Sequence, residues 1–235
     1  GSTLSPYSLE GKAFADLLAQ ENPDAQVAML IQDDDFGKAY EEGFRAAIEG
    51  TDIELVKVEK YATGATEVSA QITSLAATGA DAFFNGATLL ACPDALTKAA
   101  AAGWTPIIWV SATCTSKTLM GVAGANADGV YSYTNLKDPL NPDWDDDPAM
   151  TEYRETVANY QPDADLDNGI VAYGWTQGAL LVEALKAAEA PTRLAVMESI
   201  HNFEASDVGL LLPGVTVKTG EDDAYLGEAF NVMTH

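Results

Sequence analysis

Histidine and cysteine are almost missing from this sequence, which holds two of each in 235 residues. His201 falls in a predicted late helix and His235 at the chain end, and no GxSxG elbow occurs, so a Ser-His-Asp or Cys-His nucleophile is disfavoured. Cys92 and Cys114 are too far apart for a CxxC motif and too few for a four-cysteine zinc site. They are one disulfide or two buried thiols. Basic residues are also scarce: 12 Lys+Arg against 36 Asp+Glu give a formal net charge of -24, which opposes nucleic-acid phosphate and anionic membranes. No apolar run approaches the roughly 18 to 20 residues that cross a bilayer. No GxGxxG or GxxxxGK[ST] loop follows a strand, which disfavours a nucleotide enzyme.

What is present is an alternation of strands and helices, and 47% apolar residues suffice for a core. VAMLI (27–31) is a short continuous apolar run, as in a strand buried on both faces of a parallel sheet. From Phe36 the positions Tyr40, Phe44, Ala47 and Ile48 recur at helical steps, and Gly50 is placed to stop that helix. The unit then repeats. Strands are predicted at 53–58, 81–85, 106–111 and 129–133, separated by a helix with the stripe Val68, Ile72 and Leu75, a Pro93-initiated helix ending at Gly103, and a short helix near 116–122. This order implies an α/β fold with a doubly wound parallel sheet.

Residues 134–148, with three prolines and five aspartates, break the rhythm as a loop or crossing. Helices are predicted at about 148–160, 170–189 and 192–203, followed by strands within LLLPGVTV and LGEAFNVMTH. Stripes including Tyr153, Val157 and Tyr160 on the first helix, and Leu180, Val182 and Leu185 on the second, need a sheet to cover, and no strand is assigned there to build one. Oligomerisation or altered packing of this region is therefore expected.

Ligands of open parallel sheets sit beyond the strands' carboxyl ends, so the loops 32–36, 86–93 and 111–116 are candidates. Asp33, Asp34 and Asp35 occupy the first. A divalent metal site would need further oxygens at defined spacing, and none is evident, so helix capping by Asp34 or Asp35 is favoured. The same holds for DWDDD (143–147), where Asp147 precedes Pro148 as an N-cap.

VAMLIQDDDFGKAYEEGF resembles the second-lobe opening of the branched-chain amino acid and amide binding proteins of ABC transporters, which are type 1 periplasmic binding proteins. In order, YATGATEVSAQITSLAATGADAFFNG, ALTKAAAAGWTPIIWVSA, AGANADGVYSYT and VAYGWTQGALLVEALKAAEA are similar to successive segments of that family. The resemblance implies an incoming hinge at 1–7, a second ligand-binding lobe at 8–133, a partial and mainly helical first lobe at 134–206, and a return crossing with tail strands at 207–235. It implies a non-catalytic solute-binding protein that captures a small molecule in an interlobe cleft and delivers it to an ABC transporter permease. The alternative is a ligand-sensing module of the same fold in a receptor or regulator; a metal-dependent hydrolase ranks below both.

The implied ligand residues are Phe36, Thr88, Leu89, Ser111, Ala112, Thr113 and Tyr173, with core packing as the other role for Phe36 and capping for Thr113. Ala112 stands where amino-acid-binding members place an acidic residue, which favours a neutral amide, a small carboxylate or an aromatic acid over an α-amino acid. The resemblance also makes the strands before Cys92 and Cys114 neighbours, from which a disulfide is expected. It implies an extracytoplasmic location, periplasmic or as a cell-surface lipoprotein. The family is longer and opens with further βα units, so this chain is expected to be a fragment of a precursor that carries a secretion signal, and to bind its ligand with reduced affinity alone.

Overall fold

The apolar run of QVAMLIQ becomes strand β1 (Gln26–Gln32), with every residue after Gln26 buried. In a computed structural model that describes residues 5–223, 225–227 and 230–235, the chain separates into two units. One comprises residues 7–133 with 232–235, the other residues 5–6 with 134–231.

The first unit is built on β1, β2 (Glu54–Tyr61), β3 (Ala82–Gly86), β4 (Ile107–Val110), β5 (Tyr131–Thr134) and the last strand, β8 (Asn231–Thr234), in the order β2-β1-β3-β4-β5-β8. The pairings β1–β2, β1–β3, β3–β4 and β4–β5 are all parallel. Side chains alternate between the two faces. Ala28, Leu30, Phe83 and Val110 enter one core with Val68, Ile72 and Leu75 of α3 (Ser69–Ala76), Ala95 and Leu96 of α4 (Ala91–Ala101), and Met120 of α5 (Lys117–Ala123). On the other face, Phe84 and Trp109 meet Phe14 of α1 (Tyr7–Glu21), and Phe84 also meets Tyr40 of α2 (Asp35–Ala47).

Helix α1 has no counterpart in the sequence expectations, because its buried stripe of Glu10, Gly11, Phe14, Ala15 and Leu18 includes a carboxylate and a glycine. It lies against α2 at close range, where a Cβ on Gly43 would stand 2.1 Å from Ser8 O and one on Gly11 would stand 2.6 Å from Tyr40 O. Helix α4 begins at Ala91, two residues before the expected Pro93, since Ala91 N and Cys92 N donate to Thr88 O and Leu89 O.

In the second unit α6 (Pro148–Tyr160) follows its cap: Asp147 accepts from Met150 N at 3.0 Å and from Lys137 Nζ at 2.8 Å, and Lys137 also lies over the Trp144 ring. Helices α7 (Gly169–Ala187) and α8 (Arg193–His201) follow. The sequence placed its strands here no earlier than LLLPGVTV, yet β6 (Glu204–Ser206) precedes it and pairs antiparallel with β7 (Thr216–Lys218). Val217 of β7 packs with Leu180, Ala184, Phe203 and Leu212. Of the two predicted stripes, Tyr153 and Leu180 are buried, whereas Tyr160, Val182 and Leu185 are exposed. Within LLLPGVTV only Thr216 and Val217 are in a strand, and Leu211 forms an isolated bridge with Leu136. Residues 1–4 of the expected hinge, and Ala224, Glu228 and Ala229 in the tail, lie outside the described residues.

The α1–α2 contact sets a test. Gly43→Ala should destabilise the protein by about 1 to 3 kcal/mol through overpacking against backbone. Gly178→Ala in α7, where a Cβ meets nothing within 4 Å, should gain about 0.5 to 1 kcal/mol in helix propensity. Urea unfolding reads both, and a Gly43→Ala protein as stable as the parent contradicts the packing described.

Candidate functional site

Because β1 pairs in parallel with both β2 and β3, the chain reverses its winding between β1 and β3. The loops after these two strands therefore splay apart at the carboxyl edge, the place where an α/β sheet opens a crevice. Gln32, the last residue of β1, organises this edge. Its Oε1 accepts from Thr88 Oγ1 at 3.1 Å and from Tyr61 Oη at 3.2 Å, and its Nε2 donates to Asp34 Oδ2 at 2.5 Å. Thr88 N donates to Tyr61 Oη at 3.0 Å, so the loop after β3 is held from both sides.

Asp34 is the N-cap of α2, accepting from Gly37 N at 3.1 Å. Although desolvation raises its pKa, the hydrogen bonds from Gln32, Gly37 N and Thr63 outweigh this and hold the carboxyl below its ordinary value. Asp33 pairs with exposed Lys60 at 3.7 Å, and Asp35 opens the helix. The three aspartates thus serve the strand-to-helix turn, and among the described residues no group of His, Cys, Asp and Glu has the arrangement of a metal site.

Phe36 is half-buried and makes edge contacts with Tyr7 and Tyr40, its ring centroid 4.6 Å and 4.9 Å from theirs. Leu89 is exposed and takes φ of 49°, a conformation that costs a leucine energy and that the turn into α4 imposes. In the loop after β4, Ser111 is buried, Ala112 half-buried and Thr113 exposed. Ser111 Oγ lies 2.7 Å from Tyr40 Oη and 2.9 Å from Thr113 Oγ1, and Thr113 Oγ1 donates to Ala87 O at 3.4 Å. Six of the seven candidate residues therefore stand along one edge of one sheet. Tyr173 lies on α7 in the other unit.

Cys92 and Cys114 form a disulfide, with Cα atoms 6.1 Å apart, that joins the start of α4 to the loop after β4. By loop closure this 22-residue separation stabilises by about 3 kcal/mol. Thiol titration of unfolded, unreduced protein should find no free thiol; two would remove the bridge.

Sequence reasoning missed Glu10. Wholly buried on α1, its Oε1 accepts from Trp109 Nε1 at 2.9 Å and Ala112 N at 2.8 Å, while Oε2 has no hydrogen-bond partner. A lone glutamate on the stripe Glu10, Phe14 and Leu18 was the available signal. Burial raises its pKa from 4.5 to about 7, against the lowering by Trp109, Ala112 N and Tyr40. The Tyr40 hydroxyl is itself pushed well above its ordinary value by desolvation and then by Glu10. The shift on Glu10 corresponds to roughly 3 kcal/mol. Since the folded protein holds this proton more tightly than the unfolded chain, the contribution to stability is complete below pH 4.5 and is lost as pH rises through about 7. In urea unfolding at pH 5 and 8, the parent should lose up to about 3 kcal/mol relative to Glu10→Gln at the higher pH. A pH-independent difference would show that Glu10 does not titrate in this range.

The chain matches the family profile described as periplasmic binding protein over residues 2–233. No match is found among curated proteins. Among solved structures it is similar to a branched chain amino acid ABC transporter protein from Thermus thermophilus with bound valine, at 18% identity and a TM-score of 0.79, over 99% of this chain and 63% of that one. A possible leucine/isoleucine/valine-binding protein from Rhodopirellula baltica gives 18% identity and a TM-score of 0.80, over 100% and 63%. A fatty acid ABC transporter substrate-binding protein from Thermomonospora curvata gives 19% and 0.79, over 98% and 59%. At these identities the likeness is one of fold, and the chain spans about three fifths of the length of these structures. With the profile matched along nearly all its length, the chain belongs to the periplasmic binding protein family.

Proposed function

We propose that this protein is a non-catalytic, extracytoplasmic solute-binding protein that recognises a small molecule at the carboxyl edge of its parallel sheet and delivers it to an ABC transporter permease. The observation that carries the reading is the placement of Phe36, Thr88, Leu89, Ser111, Ala112 and Thr113 after β1, β3 and β4, at one edge of the sheet and beside the β1/β3 reversal. Family membership supports the transport role, and the named structural neighbours include proteins for branched-chain amino acids and for fatty acids. Among the described residues no helix is long and apolar enough to cross a membrane.

The edge combines apolar surface from Phe36 and Leu89 with hydroxyls from Thr88 and Thr113. Ala112 offers no charge for an ammonium, and the nearby Glu10 is buried with its Oε1 already accepting two hydrogen bonds. A ligand with an apolar body and an amide or carboxylate head fits this chemistry better than one with a free ammonium.

Calorimetry with branched-chain amino acids, amides, and aliphatic and aromatic carboxylates tests the reading. At least one amide or carboxylate should bind with 1:1 stoichiometry. Thr88→Val, which removes a hydroxyl while keeping the shape, should weaken that binding about tenfold. Phe36→Ala should weaken it more than that. Tight binding of α-amino acids alone would overturn the proposed ligand class, and binding indifferent to both substitutions would overturn the site.

A further inference from the structure

Gln32 is buried at the end of β1, and both ends of its side-chain amide are engaged. Its Nε2 lies 2.5 Å from Asp34 Oδ2, while its Oε1 lies 3.1 Å from Thr88 Oγ1 and 3.2 Å from Tyr61 Oη. A carboxylate only accepts, so the end of the amide that faces Asp34 has to be the NH2, and the end that faces the two hydroxyls is the carbonyl. Asp34 is kept ionised for this role. Desolvation works against it, but hydrogen bonds from Gln32, Gly37 N and Thr63 hold the carboxyl below its ordinary value.

The orientation of that amide decides the polarity of Thr88. Gln32 Oε1 carries no proton, so it accepts from the Thr88 and Tyr61 hydroxyls, and its two lone pairs are then filled. Tyr61, also buried, accepts from Thr88 N at 3.0 Å, and its Oη lies 3.3 Å from Thr88 Oγ1, where either hydroxyl can donate. In every arrangement that keeps these three oxygens hydrogen-bonded to one another, the Thr88 proton is spent inward, on Gln32 or on Tyr61. Thr88 O is engaged as well, accepting from Ala91 N at 3.2 Å at the start of α4. What the half-buried Thr88 has left for the edge of the sheet is lone-pair density on Oγ1.

We propose that Gln32 and Asp34 are specificity-determining positioning residues: Asp34 fixes the Gln32 amide, the amide makes the Thr88 hydroxyl an acceptor at the edge of the sheet, and that acceptor selects a carboxamide N–H over a carboxylate oxygen. As a statement about ligand choice this rests on the proposed role of Thr88 in binding. A carboxylate placed on Thr88 Oγ1 would set acceptor against acceptor. To donate to it, Thr88 would have to give up its inward hydrogen bond, which leaves the buried Gln32 carbonyl short of a partner. A carboxamide N–H meets the free lone pair with no such loss.

Neutron diffraction from deuterated crystals of the protein tests the hydroxyl setting without any ligand. The Gln32 amide deuterons should face Asp34, and the Thr88 hydroxyl deuteron should point to Gln32 Oε1 or Tyr61 Oη; a Gln32 carbonyl facing Asp34, or a Thr88 deuteron aimed away from both oxygens, would overturn the proposal. Ligand choice is read by calorimetry with isovaleramide against isovalerate and benzamide against benzoate, the amide of a pair binding at least about tenfold tighter than the acid. Asp34→Asn keeps an N-cap oxygen for Gly37 N but sets an NH2 against Gln32, so the Gln32 amide turns over, Thr88 accepts from it, and the Thr88 proton is released to the edge. The preference for the amide should then fall about tenfold or more, a change in ratio that a general loss of stability would not produce. An acid bound more tightly than its amide by the parent, or the same ratio in Asp34→Asn, would overturn the selection. Absence of binding by all four compounds would overturn the ligand choice together with the binding reading, whereas the deuteron positions decide the hydroxyl setting by themselves.

Discussion

Parallel strands impose the constraint from which the rest of the first unit follows. Each strand must enter the sheet at one edge and leave at the other, so every strand-to-helix loop is delivered to the same side. A parallel sheet must also be covered on both faces, and the alternation along β1 and β3 serves this: Ala28, Leu30 and Phe83 join the core of α3, α4 and α5, while Phe84 faces Phe14 of α1 and Tyr40 of α2. The reversal of winding between β1 and β3 then opens the edge at the point where Gln32, Thr88 and Tyr61 are tied together. The location of the candidate site is thus a consequence of topology, and its chemistry is what the side chains add.

Two devices hold the loops in place after the sheet has delivered them. One is covalent, the Cys92–Cys114 bridge between the start of α4 and the loop after β4. The other is the buried Glu10, which ties α1 to the indole of Trp109 and to the backbone of Ala112. A carboxyl with one unpartnered oxygen in an apolar interior costs stability when ionised, and the protein accepts that cost beside the loop proposed to meet ligand.

Much of the sheet was legible in the sequence because its signals are local. VAMLI is an uninterrupted buried strand, Asp34 and Asp147 cap the helices that follow them, and Gly50, Gly79 and Gly103 adopt positive φ after α2, α3 and α4. Helix α1 was not legible because Glu10 and Gly11 interrupt its apolar stripe, and both are explained only by distant partners: Trp109 for the glutamate, the backbone of α2 for the glycine. Strand β6 is three residues long, too short to show alternation. Within the site, family resemblance supplied Phe36, Thr88 and Ser111, but the roles of Tyr40 and Tyr61 depend on hydrogen bonds to residues 71 and 27 positions away, which no spacing rule reveals.

The central claim is that recognition takes place at the carboxyl edge of this parallel sheet, and mapping hydrogen exchange with and without a bound small molecule tests it most directly. The account predicts added protection in 33–36, 87–90 and 111–113, with none in the loops at the opposite edge, 50–53, 79–81 and 103–106. Protection at that opposite edge, or confined to residues 134–231, would contradict it.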